Sequence, residues 1–406
     1  MESGLRQHES IVDPRLQAGF VPADPDLTAS VRRRARAAFG APAELLVVAP
    51  GRIEIVGNHI DYNGGEVIAA AVDRWVAVAA RRRIDGQVRV ISGDIGSRGE
   101  TIAAADCLTF DVRDSGDDAT WTDAARATIA ALHAVGITSS GADLFYRGTI
   151  PSGFGLSSSS ALLVALAGAL ANLAGEALSQ LEIARIAMDA EHRTGTPVGL
   201  MDHTASVVGG MLRFSNDATR VRVLDAQLGD ALFALVDSGV RHGMPGSRYP
   251  VRVAESREAL GQLQAAGYAI DSLAELPRLD LEEAVARLPV HLADRVRHVV
   301  DEVARASEAE VALEAGDLIR LGEIMSDSGH SSATLFDISH PVVEAVAAAA
   351  RSVPGVYGAR MMGGGDGGSA VVLIEREAVP ALAEHLPSHT ITVCRIARGM
   401  SVMRDA

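Results

Sequence analysis

Residues 148–161 read Gly-Thr-Ile-Pro-Ser-Gly-Phe-Gly-Leu-Ser-Ser-Ser-Ser-Ala, and no other stretch says more about the fold and chemistry of this chain. A strand-like run at 142–146 precedes it, and a helical run at 161–174 follows. Glycines let a backbone approach an anion closely, and a helix start directs free N–H groups towards it. Serine hydroxyls bond phosphate oxygens or ligate magnesium. The pattern predicts a phosphate-binding loop; the plainer alternative is a Gly/Ser turn with a serine N-cap.

Composition excludes two common classes of nucleotide-binding protein. All 37 basic residues are arginine, and the chain contains no lysine. The P-loop motif needs a lysine after its glycines, and protein kinases need one on a strand. A nucleotide bound here would therefore be held by backbone amides, arginine and magnesium.

Charge and hydropathy narrow the range of partners. A formal charge of −15 argues against a nucleic-acid partner. The apolar run at 161–173 is too short for a membrane span, and the N-terminus carries no secretion signal. The two cysteines, Cys107 and Cys394, fit a reducing compartment. We expect a cytoplasmic protein without a nucleic-acid or membrane partner; the oligomeric state stays open and is compatible with a monomer.

Strand-like and helical runs alternate along the chain, which predicts a mixed α+β fold of about two domains. Residues 1–30 contain three prolines and are interpreted as an irregular arm. The second half is more helical and more charged, so a division near residue 212 separates a domain at 31–212 from one at 213–406. The predicted strands are 45–48, 75–79, 88–91, 232–236 and 370–374. The predicted helices are 120–133, 181–192, 248–265, 282–287, 298–314 and 341–351.

Polar residues crowd one segment between apolar strands, at 49–65. Residues two or four apart in an extended chain share a face, so Arg52, Glu54 and Asn58 are expected to converge. His59, Asp61 and Tyr62 follow within a few positions. Such a face could bind sugar hydroxyls. The alternative is a salt-bridged hairpin with a Tyr-Asn-Gly-Gly turn.

Two further segments carry candidate chemistry. Glu191 ends a predicted helix, and Asp202 follows in Val-Gly-Leu-Met-Asp-His. A buried acid kept ionised by a cation can act as a general base towards a hydroxyl, whereas the alternative is an N-capping aspartate. Residues 358–370 are glycine-rich, but no dinucleotide-type βαβ context surrounds them, so a dehydrogenase is disfavoured.

In this order, the segments resemble the small-molecule kinase superfamily of galactokinase, homoserine kinase, mevalonate kinase and phosphomevalonate kinase, the GHMP kinases. Its three motifs match residues 49–65, 150–161 and 358–370. Within it, Gly51 to Tyr62, Met201 to His203 and Tyr249 to Arg252 resemble galactokinase motifs. The resemblance implies a two-domain fold: a ribosomal-protein-S5-like N-terminal domain, a ferredoxin-like C-terminal domain, and the active site between them.

The resemblance also implies roles. Asp202 is the catalytic base and Arg52 keeps it ionised, while Ser159 and Glu191 ligate Mg²⁺. The positions implied to bind ATP are Gly153, Gly155, Ser157, Ser158, Ser159 and Trp121, with the tryptophan beside the adenine. The positions implied to bind the sugar are Glu54, Asn58, His59, Asp61, Gly199 and Tyr249.

The chain departs from the galactokinase pattern at four positions. Glu54 stands in place of an asparagine and Asn58 in place of a glutamate, so an amide–carboxylate pair has exchanged its members. If the strand continues through both, the pair persists on one face, and the sugar hydroxyl that it reads is in question. His203 replaces a glutamine beside the base. Asp366 replaces a phenylalanine in the third motif, where packing or a nearby phosphate would disfavour a carboxylate.

The resulting hypothesis is an ATP- and Mg²⁺-dependent sugar kinase that phosphorylates the anomeric hydroxyl of galactose or a related aldose. One alternative is a GHMP kinase for a different sugar or hydroxylated metabolite. Another is a non-catalytic sensor of sugar and ATP with the same fold. Asp202, Arg52, Ser159 and Glu191 favour the enzyme, and Asp366 favours the sensor.

Overall fold

The computed structural model describes residues 19–94, 107–112, 123–151, 153–196, 198–215, 220–241 and 248–404. Within these ranges the chain forms two β-sheets with helices packed on them, so the predicted α+β class is confirmed. None of the helices in this described part of the chain is both long and apolar enough to cross a membrane.

The first sheet contains eight of the described strands, six of them in the order β12-β1-β2-β5-β3-β4, with β6 paired to β2 and β7 to β6. All its pairings are antiparallel except that of β3 with β5. Its strands are β1 (Leu45–Val56), β2 (Glu66–Arg82), β3 (Gln87–Ser92), β4 (Cys107–Asp111), β5 (Ala142–Gly148), β6 (Met211–Ser215), β7 (Val221–Val223) and β12 (Ser401–Arg404).

The second sheet is antiparallel, with strand order β11-β8-β10-β9. Its strands are β8 (Ala231–Asp237), β9 (Val356–Met361), β10 (Ser369–Glu375) and β11 (Ile391–Cys394). The turn from β9 to β10 is the glycine-rich segment at 362–368, so the third motif lies at one end of this sheet.

The helices pack on both sheets. They are α1 (Pro25–Phe39), α2 (Asp123–Ala134), α3 (Ser158–Ala174), α4 (Gln180–Arg193), α5 (Met201–Val208), α6 (Tyr249–Ala265), α7 (Leu281–Val285), α8 (Val290–Ala315), α9 (Leu318–Thr334), α10 (Pro341–Arg351) and α11 (Val379–His385).

The core explains why the two sheets meet where they do. Helices α2, α3 and α4 bury one face of the first sheet, and α1 buries the other. A larger apolar cluster runs from the end of β1 and the start of β2 to the second sheet and its helices. Every residue of β1 is buried, because both of its faces and the end of the strand are covered. The polar segment after β1 therefore lies at the junction of the two sheets.

Most predicted elements occur, but three are longer than predicted: the strand at 45–48 runs over Leu45–Val56, the strand at 75–79 over Glu66–Arg82, and the helix at 298–314 over Val290–Ala315. Two other interpretations need correction. The irregular arm at 1–30 is too long, because α1 begins at Pro25. Asp24 caps α1 by accepting from the backbone N–H groups of Asp26 and Leu27, and proline is favoured in the first turn. Residues 1–18 lie outside the described residues.

The second correction concerns the strand through Glu54 and Asn58. Strand β1 ends at Val56, with a register irregularity between Glu54 and Val56, so the two residues do not share a strand face. The predicted division at 212/213 falls inside β6, which belongs to the first sheet, and the domain bounds stay a prediction.

Candidate active site

The glycine-serine loop after β5 and the glycine loop between β9 and β10 face each other across a cleft of about 340 Å³. Its lining residues include Arg52, Gly153, Gly155, Ser157, Ser158, Ser159, Arg241, Gly363, Gly364, Gly365, Gly367 and Gly368. Gly155 has a φ of 74°, a backbone conformation that glycine adopts without strain. The loop then enters α3, so the start of a helix, with its free backbone N–H groups and the positive end of its dipole, lies at the cleft.

Asp202 and Arg52 form a two-pronged ion pair beside this cleft. Arg52 Nε donates to Oδ1 of Asp202 at 2.6 Å, and Nη2 donates to Oδ2 at 2.8 Å. Arg52 Nη1 also donates to the Gly155 carbonyl at 2.6 Å, so the pair is anchored to the glycine-serine loop. Burial opposes ionisation of Asp202, but Arg52 and the Ser157 hydroxyl outweigh burial and lower its pKa. The carboxylate is therefore held charged.

The plainer interpretations of two residues are wrong. Ser157 flanks the start of α3, but its side chain makes no capping hydrogen bond; its hydroxyl donates to Asp202 at 2.5 Å. Asp202 lies in the first turn of α5, whose N-cap is Leu200, and its oxygens bind Arg52 and Ser157. Both side chains are directed at each other across two helix starts.

Glu191 accepts hydrogen bonds from two serine hydroxyls at the start of α3. Its Oε1 accepts from Ser159 at 2.7 Å, and its Oε2 accepts from Ser160 at 2.8 Å. His203 Nε2 lies 2.8 Å from the same Oε2. Burial raises the pKa of Glu191, but His203 and the two serine hydroxyls outweigh this and lower it. Ser159 lines the cleft, and the Glu191 carboxylate lies directly behind its hydroxyl.

Glu54 and Asn58, the exchanged pair, are in contact with each other at the end of β1. Asn58 Nδ2 donates to Glu54 Oε1 at 3.1 Å and to the Gly363 carbonyl at 2.9 Å, and Ser332 donates to Asn58 Oδ1 at 2.9 Å. Arg360 Nη2 lies 3.2 Å from Glu54 Oε1. The amide of Asn58 is thus fully used, whereas Glu54 Oε2 has no partner among the described residues. Arg52 does not converge with them as expected but pairs with Asp202.

An aromatic group covers the next residues of this segment. The rings of Tyr249 and Phe336 lie 5.2 and 4.9 Å from His59, and Tyr62 donates to or accepts from His59 Nδ1 at 3.0 Å. Burial, with the positive field of nearby His298, lowers the pKa of His59 to about 3, so the imidazole is neutral. Tyr249 begins α6, which brings it to this group from far along the chain.

The pKa of the buried Asp61 carboxyl lies above its ordinary value. Burial, reinforced by the negative charges of Glu54 and Asp202, raises it to about 7, so Asp61 is partly protonated near neutrality. A carboxyl in this state both donates to and accepts from hydroxyl groups. Gly199 lies partly buried between α4 and α5, three residues before Asp202. Trp121 lies outside the described residues.

Several residues of the site were not singled out from the sequence. Arg241 lines the cleft beside Gly153 and is held by Asp237 through two 2.7 Å bonds. Glu302 and His298, both on α8, are fully buried under residues 57–58. Little in the sequence indicated that Glu302 and His298 are buried, because charged residues in an amphipathic helix usually face solvent.

Comparisons with known proteins agree with this arrangement. Residues 36–82 match the galactokinase galactose-binding signature, residues 122–210 the GHMP kinases N terminal domain, and residues 309–391 the GHMP kinases C terminal family.

Curated relatives extend over nearly the whole chain. Galactokinase from Roseiflexus sp. (strain RS-1) is 33% identical over 398 residues, which cover 93% of this chain and 98% of the relative. Galactokinase from Homo sapiens is 32% identical, covering 93% and 97%. Among solved structures, Lactococcus lactis galactokinase complexed with galactose superposes with a TM-score of 0.84 at 26% identity, covering 92% of this chain and 99% of that one. The chain therefore belongs to the galactokinase family of the GHMP kinases.

Proposed function

We propose that this protein transfers the γ-phosphoryl group of ATP to the anomeric hydroxyl of galactose, giving galactose 1-phosphate and ADP. The observation that carries the proposal is the Arg52–Asp202 pair beside a cleft built from two glycine-rich loops. Galactokinase relatives over most of the chain support the same chemistry.

The catalytic chemistry follows from charge and position. The sugar oxygen attacks the γ-phosphorus, the bond to the ADP oxygen breaks, and Asp202 accepts the hydroxyl proton. Arg52 keeps Asp202 ionised and offsets negative charge near the transferred group. Backbone N–H groups of the glycine-serine loop and the start of α3 hold the phosphates, so positioning and electrostatics supply the catalysis without lysine.

We propose that Ser159 and Glu191 hold Mg²⁺. A hydroxyl and a carboxylate are oxygen ligands of the kind that Mg²⁺ prefers, and the 2.7 Å contact between them stands beside the cleft. When bound, Mg²⁺ would neutralise charge on the phosphates of ATP. Ser160 and His203 contact the other oxygen of Glu191, Oε2, and hold the carboxylate in place.

Galactose would occupy the region bounded by Asp202 and the carboxyl-rich segment after β1. Glu54, His59, Asp61 and Tyr249 present hydrogen-bonding groups there, and Asn58 and Gly199 complete the proposed sugar-binding set. Trp121 beside the adenine, and Gly153, Gly155, Ser157 and Ser158 around the phosphates, remain proposals. We also propose the cytoplasm as the location, where ATP is supplied and the thiols of Cys107 and Cys394 stay free, and a monomer as the active form.

A panel of aldoses tests the proposal. The protein is incubated with ATP, Mg²⁺ and one sugar at a time, and ADP release is measured. Galactose should give the highest kcat/KM. Binding of galactose and ATP without ADP release would instead identify a sensor, and a higher kcat/KM for another aldose would reject galactose as the substrate.

The exchanged pair supports a second candidate, a kinase for a different aldose. Both hydrogen bonds that Glu54 makes to the described residues end on Oε1, which supports the proposal that its other oxygen, Oε2, reads a sugar hydroxyl. A hydroxyl bound by a dedicated carboxylate is discriminated strongly, because its absence leaves buried polar groups unpaired.

Reversing the pair tests this candidate. If the natural substrate is another sugar, the double change Glu54→Asn with Asn58→Glu should shift relative kcat/KM towards galactose. Each single change should be worse than the double, since it leaves two amides or two carboxylates facing each other. Ser332→Ala is a matched control: it removes the bonds of the Ser332 hydroxyl to Asn58 Oδ1 and to the Ser328 carbonyl of its own helix, and leaves both members of the exchanged pair unchanged. An unchanged sugar profile, or single effects that simply add, would show that the pair is a structural contact.

A further inference from the structure

Asp366 occupies an unusual backbone position in the glycine loop between β9 and β10. It is one of four residues other than glycine with a positive φ among the described residues, at 62°. Its backbone N–H donates to the Ile338 carbonyl at 2.8 Å, and the residue is only 6% exposed. The glycines on both sides of it line the cleft, but Asp366 does not. Its carboxylate therefore serves something other than the phosphate space.

That carboxylate holds Arg248 by two contacts. Arg248 Nε donates to Oδ1 at 2.6 Å, and the backbone N–H of Arg248 donates to Oδ2 at 2.5 Å. The expected clash of a carboxylate with its surroundings is therefore wrong, because an arginine compensates the charge. The Arg248 guanidinium also donates to Asp337 Oδ1 at 2.8 Å and to the Ser339 carbonyl at 3.1 Å.

Arg248 is the residue at the start of α6, immediately before Tyr249. Within the described residues, the side chain of Arg248, the N-cap residue, makes no capping hydrogen bond to α6. Asp366 supplies what is missing, since it accepts a backbone N–H at the positive end of the helix dipole. A residue of the glycine loop thus fixes the first turn of the helix that carries Tyr249.

Two more contacts join the same loop to the sugar-binding segment. A Cβ on Gly364 would lie 3.5 Å from Cδ2 of Tyr249, so the backbone of the loop packs against that ring. The Gly363 carbonyl accepts from Asn58 at 2.9 Å. The loop that faces the phosphates on one side is tied to the sugar-binding residues on the other.

We propose that Asp366 is a positioning residue that, through Arg248, couples nucleotide binding to sugar binding. The proposal rests on the proposed function, because it assumes that ATP fills the cleft and that Tyr249 contacts the sugar. Ordering of the glycine loop by the nucleotide then orders the start of α6, so each substrate tightens the binding of the other. Such coupling is reciprocal and typically about 5- to 150-fold.

Calorimetric titration of galactose, with and without a non-hydrolysable ATP analogue and Mg²⁺, measures this coupling. In the wild-type protein the analogue should tighten galactose binding by about fivefold or more. The coupling ratio is the Kd for galactose without the analogue divided by the Kd with it. Asp366→Asn tolerates the positive φ but loses the charge, and should bring this ratio close to one. Arg248→Met removes the guanidinium from the other side, and the double variant should be no worse than either single variant.

Asp143→Asn is the matched control, since Asp143 is a buried carboxylate held by Arg83 and Arg89 at the far end of β5. It should keep the wild-type ratio. Under saturating ATP, Asp366→Asn should raise the KM for galactose by the lost coupling factor, with kcat within about twofold of wild type.

The possible outcomes distinguish a failure of the proposed function from a failure of the coupling through Asp366. A wild-type protein that binds or phosphorylates no galactose rejects the proposed function. An active wild-type protein whose ratio is one, or an unchanged ratio in both Asp366→Asn and Arg248→Met, overturns the coupling. A loss of kcat with an unchanged ratio also overturns it. If Asp366→Asn unfolds at the temperature of the titration, the coupling ratio of Arg248→Met alone tests the proposal.

Discussion

At the residue scale, Asp202 shows how a site without lysine controls charge. Its two oxygens are shared between Arg52 and Ser157, and the resulting pKa lies below the ordinary value of an aspartate. A carboxylate of low pKa is a weak proton acceptor, so in the proposed role of base its charge and its orientation would carry much of its contribution. This explains why an arginine, with its fixed fork of donors, suits position 52.

Asp202→Asn keeps the shape of the side chain and removes its charge. We expect turnover at saturating substrates to fall by about 10²–10⁴, because the base is lost and Arg52 is left uncompensated. Asp202→Ala should behave similarly, while both variants still bind ATP in calorimetry. ADP release measures the loss, and turnover above about a tenth of wild type would contradict the role of base.

The neighbouring serines Ser159 and Ser160 provide a matched pair. Both donate to Glu191, but Ser159 lines the cleft whereas Ser160 is 1% exposed and does not. Ser159→Ala should weaken Mg-ATP binding by about tenfold and leave metal-free nucleotide binding nearly unchanged. Titration with and without magnesium decides the matter, with Ser160→Ala as the control. Equal losses in both conditions would mean that Ser159 is purely structural.

At the element scale, helices α8 and α9 support the turn after β1 that carries Asn58 and His59, two of the residues proposed to bind the sugar. Glu302 accepts from the backbone N–H groups of Gly57 and Asn58 at 2.9 and 3.1 Å, and from Ser328 at 2.5 Å. His298, one helical turn earlier, contacts the Asn58 carbonyl at 2.9 Å. Two helices from the second half of the chain thus satisfy a tight turn that follows β1.

Glu302→Gln should both destabilise the protein and weaken sugar binding. Breaking the buried pair with Arg305 should lower the free energy of unfolding by about 3 kcal/mol, and a looser turn should raise the KM for galactose. Glu310→Gln is the control: Glu310 lies on the same helix and pairs with Arg213 and Arg222. It should cost stability with little change in that KM. Equal KM changes in both variants would contradict a local role for Glu302.

The Glu302 carboxylate also predicts how the free energy of unfolding depends on pH. Burial favours neutral Glu302, but Arg305 and His298 outweigh it and lower the pKa from 4.5 to about 2. Its contribution is therefore complete above the unfolded value of 4.5 and is lost as the pH falls towards about 2. Urea unfolding should show that the difference between wild type and Glu302→Gln shrinks below that unfolded pKa. A difference that stays constant or grows on acidification would contradict this assignment.

At the scale of the whole molecule, the active site is a junction. The glycine-serine loop belongs to the first sheet and the glycine loop to the second, and one apolar cluster runs between the end of β1 and the second sheet. Ligands that fill the junction should therefore stabilise both sheets together, since anything that binds the folded state raises its stability.

A thermal scan tests this expectation. Galactose with an ATP analogue and Mg²⁺, each at about a hundred times its Kd, should add about 2.7 kcal/mol per ligand and raise Tm in a common transition. Glucose, an epimer of galactose, is the control at the same concentration. Two separate transitions, only one of which moves, or equal shifts with both sugars, would argue against a single galactose-specific junction.

The sequence by itself determined the family, the glycine-serine loop and the residue types of the proposed active site. Local patterns carry this information: glycines before a serine run and a helix, an arginine after a buried strand, and an aspartate in a short motif. Periodicity also located most strands and helices, since it depends only on which faces are buried. The start of α1 at Pro25 was missed, because a proline that opens a helix resembles one in a loop.

Only the tertiary structure decided which groups meet. Asp202 and Arg52 are 150 positions apart, and the support of Asn58 by Ser332 spans 274. Glu54 and Asn58 share one hydrogen bond at the end of a strand, which a strand-face rule could not describe once β1 had ended. Asp366 looked out of place in sequence because its partner, Arg248, lies 118 positions away. A charge is compatible with a buried site only through its partners, and folding alone brings those partners together.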